Sequence, residues 1–217
     1  MAAESLAALA PGMRAALDEA WHSWQAGNFG IGAVLVDPAV EGDASIVARG
    51  RNAIDADPSG ELRLHGNYMA HAEMNAFAAM GAFTGRGLHL HTTLEPCLMC
   101  AGTALFLNVE HVHFATRDEF FTDLDALWRH NEYTAARAPV CEQSVAGKLA
   151  SFCRLLPLTY TFATRPGSAM EARAKERRPR LAELAGDGIA LRWRDGTDLD
   201  DALVELWDDL PDDEYVG

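Results

Sequence analysis

His71-Ala72-Glu73 and, further along, Pro96-Cys97-Leu98-Met99-Cys100 carry the side chains of this sequence best suited to chemistry. One histidine and two cysteines are the nitrogen and sulfur ligands that a tetrahedral zinc ion takes, and three protein ligands leave its fourth position to water. Cys97 and Cys100 are three apart, so both face the same way on a first helical turn if Pro96 opens that helix. The partial positive charge of a helix N-terminus favours thiolate, the form that binds metal. His71 and Glu73 are two apart and would diverge inside a helix. They share a target only at a helix start, where the Cα–Cβ bonds tilt back toward the N-terminus. His71 then ligates and Glu73 does not. A free carboxylate beside metal-bound water can take its proton and pass it to a substrate. The expectation is a hydrolytic site with Zn2+ on His71, Cys97 and Cys100 and with Glu73 as proton carrier.

Elements must bring these residues together. Met74-Asn75-Ala76-Phe77-Ala78-Ala79-Met80 is rich in helix formers and is closed by Gly81, which predicts a helix starting near Ala70. Residues 88–93 read as the strand that delivers the cysteines, and residues 111–116 as the next strand. Strand and helix alternate here, which implies parallel neighbours. Upstream, Met13, Leu17, Trp21 and Trp24 recur at helical spacing before Gly27, giving an amphipathic helix over 12–26 with core tryptophans. Residues 31–37 and 44–49 are β-rich runs joined by a short loop, an antiparallel hairpin. The irregular stretch 53–69, with Asp57-Pro58-Ser59-Gly60, is long enough to be a lid or specificity loop.

Downstream, Asp118 to Trp128 mixes carboxylates with aromatics just past a strand's carboxyl end, where open α/β sheets bind ligands. Phe120, Phe121 or Trp128 could stack on a flat ring, and Asp118 or Asp123 could accept its hydrogen bonds; core packing and capping explain these residues equally well. Residues 142–155 read as a helix and 158–162 as a strand, with Pro157 at its start or on an edge. Beyond Thr164-Arg165-Pro166-Gly167 the pattern predicts a helix, a short strand over 189–193, a helix over 199–207 and an acidic tail. Leu199, Leu203 and Leu206 form one apolar face for the domain or a partner subunit. The chain thus divides into a main domain, 1–165, and an extension, 166–217.

Bulk properties narrow the function. A length of 217 residues with 49% hydrophobic composition supports a real core. No apolar run approaches a membrane span and no basic segment precedes the Ala-rich start, so the expectation is a cytoplasmic protein without membrane association. The net charge of −14 lacks the basic footprint that nucleic-acid binding requires. The basic run from Arg173 to Arg180 could contact phosphates, but reads better as a solvated helix face interleaved with Glu171 and Glu176. Cys141 and Cys153 read as free thiols rather than a disulfide. The pairs His89/His91 and His111/His113 read as structural rather than as a second metal site.

The two motifs resemble the cytidine deaminase-like superfamily of zinc deaminases, whose signature joins H-x-E to P-C-x-x-C. Ile31-Gly32-Ala33-Val34-Leu35-Val36 and Ala48-Arg49-Gly50-Arg51-Asn52 resemble its first two strands, and Leu94 to Gly102 is similar to the guanine deaminase and tRNA adenosine deaminase branch. Phe114-Ala115-Thr116-Arg117-Asp118 resembles the strand end that follows. The resemblance implies an α/β fold, a three-layer α/β/α sandwich with a mixed five-stranded sheet, to which the C-terminal α/β extension is added. It also implies hydrolytic replacement of an amino group by an oxo group, substrate contacts at Asn52 and the Ala72 backbone, with Asp118 a further candidate, and a homodimer. Charge and the long loop point to a small-molecule substrate, a free base or nucleoside of guanine, adenine or cytosine type. The alternatives are a tRNA wobble-adenosine deaminase and a catalytically silent zinc-containing binding module, against which Glu73 weighs.

Overall fold

The computed structural model describes residues 1–121, 124–188, 191–192 and 196–212. In chain order the elements are α1 (Ala2–Ala7), α2 (Pro11–Gln25), β1 (Gly32–Val36), β2 (Ile46–Arg51), α3 (Ala72–Ala79), β3 (His89–Leu94), α4 (Leu98–Phe106) and β4 (His111–Thr116). The short helices α5 (Asp125–Trp128) and α6 (Glu132–Ala135) follow, then β5 (Val140–Gln143), α7 (Gly147–Thr164), α8 (Ala169–Arg177), α9 (Pro179–Gly186) and α10 (Leu199–Leu206).

The five strands form one mixed sheet in the order β2-β1-β3-β4-β5. β1 pairs antiparallel with β2 and β3, whereas β3, β4 and β5 run parallel. Successive strand residues face opposite ways, and β1 shows what each face meets. Ala33 and Leu35 pack in a cluster with Ala72, Ala76 and Phe77 of α3 and Ala104 of α4. Val34 points the other way, into a cluster with Trp21 and Trp24 of α2 and Phe152 and Leu156 of α7. The result is the expected three-layer sandwich, and the tryptophans are core, their rings stacked 5.1 Å apart.

Two glycines set how closely the helices approach. A Cβ at Gly50 would lie 2.3 Å from both the Ala72 carbonyl oxygen and the Ala76 nitrogen, so β2 carries α3 directly on its backbone. Gly32 does the same for α2, where a Cβ would lie 2.1 Å from the Ala16 carbonyl oxygen. Any side chain at Gly50 would displace the helix whose first turn holds His71 and Glu73.

The stretch around Pro157 departs from expectation. Residues 158–162 are not a strand: α7 continues through Pro157 to Thr164, and the fifth strand is β5, within and before the expected helix. Leu158-Thr159-Tyr160-Thr161-Phe162 has β propensity and alternates, but α7 is buried on every side from Leu149 to Thr161, which erases the helical period. Buried hydroxyls in this segment bond to the helix itself: Thr159 donates to the Leu156 carbonyl at 2.7 Å and Thr161 to the Pro157 carbonyl at 2.8 Å. Tertiary packing outweighs the hydrogen bond that proline removes.

Beyond residue 165 the described elements are the helices α8, α9 and α10 and the turns between them. Leu199, Leu203 and Leu206 are buried as expected, and with Leu181 of α9 they join the same cluster as α2 and α7. Residues 189, 190 and 193 of the expected strand, and the tail from 213, lie outside the described residues. The basic run is only in part a solvated face. Arg173 and Lys175 pair with Glu176 and Glu171 on the surface, but Arg178 is fully buried.

Candidate active site

Two helix starts meet at the carboxyl ends of the strands. His71 caps α3 in extended conformation, which swings its ring over the helix end, and Glu73 follows in the first turn. Cys97 caps α4 in the same way, and Cys100 sits in its first turn. Pro96 therefore precedes the cap and is not the first helical residue, because Cys97 must take the cap position to turn its sulfur back across the N-terminus. The prediction of a helix near Ala70 holds to within two residues, and Gly81 follows it with a positive φ of 69°.

The three ligand atoms form a nearly equilateral triangle. His71 Nδ1 lies 3.5 Å from both sulfurs, and the sulfurs are 3.6 Å apart. Ligand bonds of about 2.0 Å to nitrogen and about 2.3 Å to sulfur, at tetrahedral angles, place nitrogen and sulfur about 3.5 Å apart and the two sulfurs about 3.8 Å apart. The donor set therefore fits zinc in chemistry and in spacing. Among the described residues this is the one group of three or more potential ligands whose atoms all lie within 4.8 Å of one another. The histidine cluster on β3 and β4 is bonded internally instead. His113 Nε2 and His89 Nδ1 are 3.3 Å apart, and His113 Nδ1 is 2.9 Å from Glu142.

Electrostatics in the metal-free site follow from proton sharing. A hydrogen bond from Cys100 holds the Cys97 thiol down at about 4, against the effect of burial. The same bond, with burial, raises Cys100 well above the ordinary thiol range. One thiolate and one thiol thus share the site before a metal displaces the remaining proton. Glu73 is 4% exposed, and burial raises it to about 6, close to the working range of a general base.

This site opens into a cavity of about 370 Å³ whose walls are mostly apolar. Asn52, Ala72, Glu73, His71, Cys97 and Asp118 all line it, and of the residues expected at the site only Cys100, fully buried, is not part of the lining. Asn52 directly follows β2, is buried, and turns its amide oxygen toward the Ile54 N–H at 3.4 Å. Asp118 is held in its own turn, its Oδ1 accepting from the N–H groups of Phe120 at 2.7 Å and Phe121 at 3.0 Å, and burial raises its carboxyl. Phe120 and Phe121 reach the cavity, whereas Trp128 lines a separate space of about 450 Å³ that contains none of the metal ligands. Asp123 lies outside the described residues.

The rest of the lining was not legible in the sequence. Phe29, Tyr68, Arg154, Pro157 and Arg165 line it, together with Ala169 and Met170 of α8. Tyr68 does come from the 53–69 loop, which Asn75 of α3 braces. The Asn75 side chain accepts from Leu64 N–H and donates to the carbonyls of Leu64 and Arg51. Arg154 had one signal, a lone cation in the apolar run Phe152-Cys153-Arg154-Leu155-Leu156.

Comparison with known proteins adds independent support. Residues 9–116 match the family model for the cytidine and deoxycytidylate deaminase zinc-binding region. A tRNA-specific adenosine deaminase of Bacillus subtilis is 32% identical over 154 residues, spanning 66% of this chain and 88% of that protein. One from Streptococcus pyogenes serotype M1 is 32% identical over 117 residues, 54% of this chain and 63% of that protein. Among solved structures, a tRNA:A34 deaminase that performs A-to-I editing at the wobble position superposes with a TM-score of 0.51 at 23% identity, covering 69% of this chain and 97% of that one. A structure solved in complex with 2,6-diaminopurine superposes with a TM-score of 0.51 at 20% identity, covering 73% and 85%. The fold, the ligand triangle and these matches agree: the chain belongs to the cytidine and deoxycytidylate deaminase family of zinc-binding enzymes.

Proposed function

We propose that this protein is a hydrolytic deaminase of a small nucleobase-like heterocycle, a free base or nucleoside, and exchanges a ring amino group for an oxo group with release of ammonia. The observation that carries the reading is the buried Glu73 beside the His71, Cys97 and Cys100 triangle at the back of a cavity of base or nucleoside size. Zinc held there supplies a Lewis acid that makes a coordinated water acidic near neutral pH.

Glu73 would take one proton of the attacking water and pass it to the ring nitrogen, then take the proton of the newly added hydroxyl as the oxo group forms and pass it to the departing amine, so it ends each cycle ionised. Burial suits it to both directions, because a carboxylate near 6 gives up its proton readily but still binds it. Ala72, at the start of α3, offers backbone polar groups to the ring, and Asn52 offers a side-chain amide. The apolar walls exclude water, which would otherwise compete for those groups.

Net charge favours a small substrate: −14 over the chain opposes the approach of a polyphosphate. A second reading, deamination of a tRNA wobble adenosine, draws on the relatives of 32% identity that are named tRNA-specific adenosine deaminases. Ammonia release from a panel of free bases, nucleosides, nucleotides and an anticodon-stem RNA tests both. Zinc-loaded protein is expected to act on a base or nucleoside, and its Glu73→Ala variant on none. Turnover of the RNA alone would overturn the small-molecule reading. A Glu73→Ala protein with unchanged biological activity would replace catalysis with a binding role.

A further inference from the structure

The four histidines of β3 and β4 stand apart from the catalytic cavity. Strand spacing alone puts each pair on one face and implies nothing more. The parallel register then sets the pairs side by side, His89 opposite His111 and His91 opposite His113. Leu90 and Val112, between them, point into the cluster with Ala72 and Ala76 of α3, so all four rings lie on the other face of the sheet, toward α2. There a Cβ on Gly12 of α2 would lie 2.7 Å from His91 Cδ2, and His91 is buried beneath the helix, whereas His89, His111 and His113 are only half-buried. His89 and His111 open their strands, at the end of the sheet opposite the catalytic triangle.

Three of these rings are spaced as ligands of a single ion. His89 Nδ1 and His113 Nε2 are 3.3 Å apart. Two nitrogens about 2.0–2.1 Å from a zinc ion, at tetrahedral angles, are about 3.3–3.4 Å apart. A zinc-bound imidazole has its ring centre about 3 Å from the ion, so three such rings have centres about 5 Å apart. The centres of His89, His111 and His113 are 4.5, 5.4 and 5.8 Å apart. His113 is also oriented for ligation, because its Nδ1 donates to Glu142 Oε1 at 2.9 Å across the β4–β5 register. That bond keeps the hydrogen on Nδ1, leaves the lone pair of Nε2 facing His89, and is the carboxylate–histidine pairing that accompanies metal-bound imidazole. Without metal, His89 Nδ1 donates to that lone pair and closes the cluster on itself.

We propose that His89, His111 and His113 form a second metal site, for a borderline divalent transition-metal ion such as zinc, with Glu142 orienting His113. As the ion enters, His89 releases its Nδ1 hydrogen to water and takes one from water on Nε2, so the ring stays neutral. His111, whose ring is the nearest to His89, turns about its side-chain bonds to bring in the third nitrogen, and water completes the tetrahedron. Imidazole suits zinc, copper and nickel, and the lack of thiolate separates this site from that of Cys97 and Cys100. With His89 on β3, His111 and His113 on β4 and Glu142 on β5, the bound ion ties three strands together.

Zinc binding to the full chain is measured by equilibrium dialysis and elemental analysis, from nanomolar to submillimolar free zinc, and cobalt titration gives each site its own absorption. The intact chain is expected to take two ions, and the Cys97→Ser/Cys100→Ser and His89→Ala/His113→Ala chains one each. Cobalt in the histidine site should lack the thiolate charge-transfer band of the cysteine site. Glu142→Gln, at a side chain 56% exposed, should weaken the second ion by roughly 10- to 100-fold. His65→Ala and His130→Ala, at exposed histidines elsewhere, should leave it unchanged. Saturation of the intact chain at one ion would overturn the inference. So would a second ion indifferent to His113→Ala or to Glu142→Gln, which is adventitious surface binding only. The intact chain and Glu142→Gln decide the matter even if the double histidine variant fails to fold, which circular dichroism would reveal.

Discussion

The two walls of the cavity are built in opposite ways. The metal wall comes from two short motifs at the starts of α3 and α4, the second reached directly from the end of β3 and the first from β2 across the long 53–69 loop. The far wall is assembled from Phe29, Tyr68, Arg154, Arg165 and Met170, which span most of the chain and meet only through the packing of α7 and α8. The metal-ligand triangle and the buried Glu73 are concentrated in the first wall. On the proposed reading, choice of substrate falls to the second, whose side chains line the rest of the cavity.

The contrast is sharpest in substitutions that separate turnover from stability. Glu73→Gln is expected to lower turnover by roughly 10²- to 10⁴-fold or more, since it removes the proton carrier, with zinc content unchanged by elemental analysis. The same change should not destabilise the metal-free chain. A carboxyl raised from 4.5 to about 6 by folding disfavours the native state by about 2 kcal/mol once pH exceeds both values. The penalty vanishes below about pH 4.5 and is complete above about pH 6, so the amide should be neutral or stabilising at pH 7.5 and lose that advantage at pH 4. A clear fall in the urea midpoint at pH 7.5 would make Glu73 a structural residue.

Glu119→Ala should do the reverse. It leaves Arg154 and Arg178 buried without their shared carboxylate, and breaking such a cluster costs about 3–5 kcal/mol. Urea denaturation should show this loss, while zinc content in the remaining folded protein stays at the native level. An unchanged midpoint would mean that the far wall is not braced as its geometry implies.

Legibility in the sequence divides along the same line. His71, Glu73, Cys97 and Cys100 could be read because zinc ligation fixes residue types, and a helix start fixes their spacing to within a turn. The hairpin, the parallel pair and the helix over α2 follow from periodicities of two and of 3.6. Arg154 and Arg178 escaped because they lie where periodicity fails. α7 is buried all round and contains Pro157, so it imitates a helix that stops and a strand that starts. Arg178 sits in a run whose other cations are solvated, and only the fold separates it from them. A lone charge in an apolar run is the signal to follow in such cases, because an unpaired buried cation is not tolerated.

Arg165 tests how far the second wall extends. Its Cζ lies 5.2 Å from the Phe29 ring centroid, 5.7 Å from Tyr68 and 5.8 Å from Tyr160, which ties the loop before the metal helix to the end of α7. Cation–π contacts at a partly exposed site are worth about 0.5–1 kcal/mol. Arg165→Ala should therefore raise KM by roughly two- to fivefold and leave kcat within twofold. A larger fall in kcat would mean that this cluster also positions the reacting end.

The smallest expected effect concerns the metal wall and needs no substrate. In zinc-free protein Cys97 is held near 4 by its bond from Cys100, so it is already thiolate throughout the range from pH 5 to 8. An ordinary exposed thiol gains roughly tenfold in alkylation rate per pH unit across that range. Iodoacetamide should therefore label Cys97 at a nearly constant rate. The advantage at pH 6 is modest, because low basicity weakens a thiolate: a few-hundred-fold gain in thiolate fraction is offset by about a hundredfold loss of nucleophilicity, leaving a few-fold. Zinc should abolish the labelling, and Cys153, raised to about 12 by complete burial, should stay unlabelled in either state. Mass spectrometry of the modified peptides reads all three. A Cys97 rate that climbs with pH like an ordinary thiol would mean that the helix start and its partner do not hold the sulfur ready for metal, and that zinc itself organises the triangle.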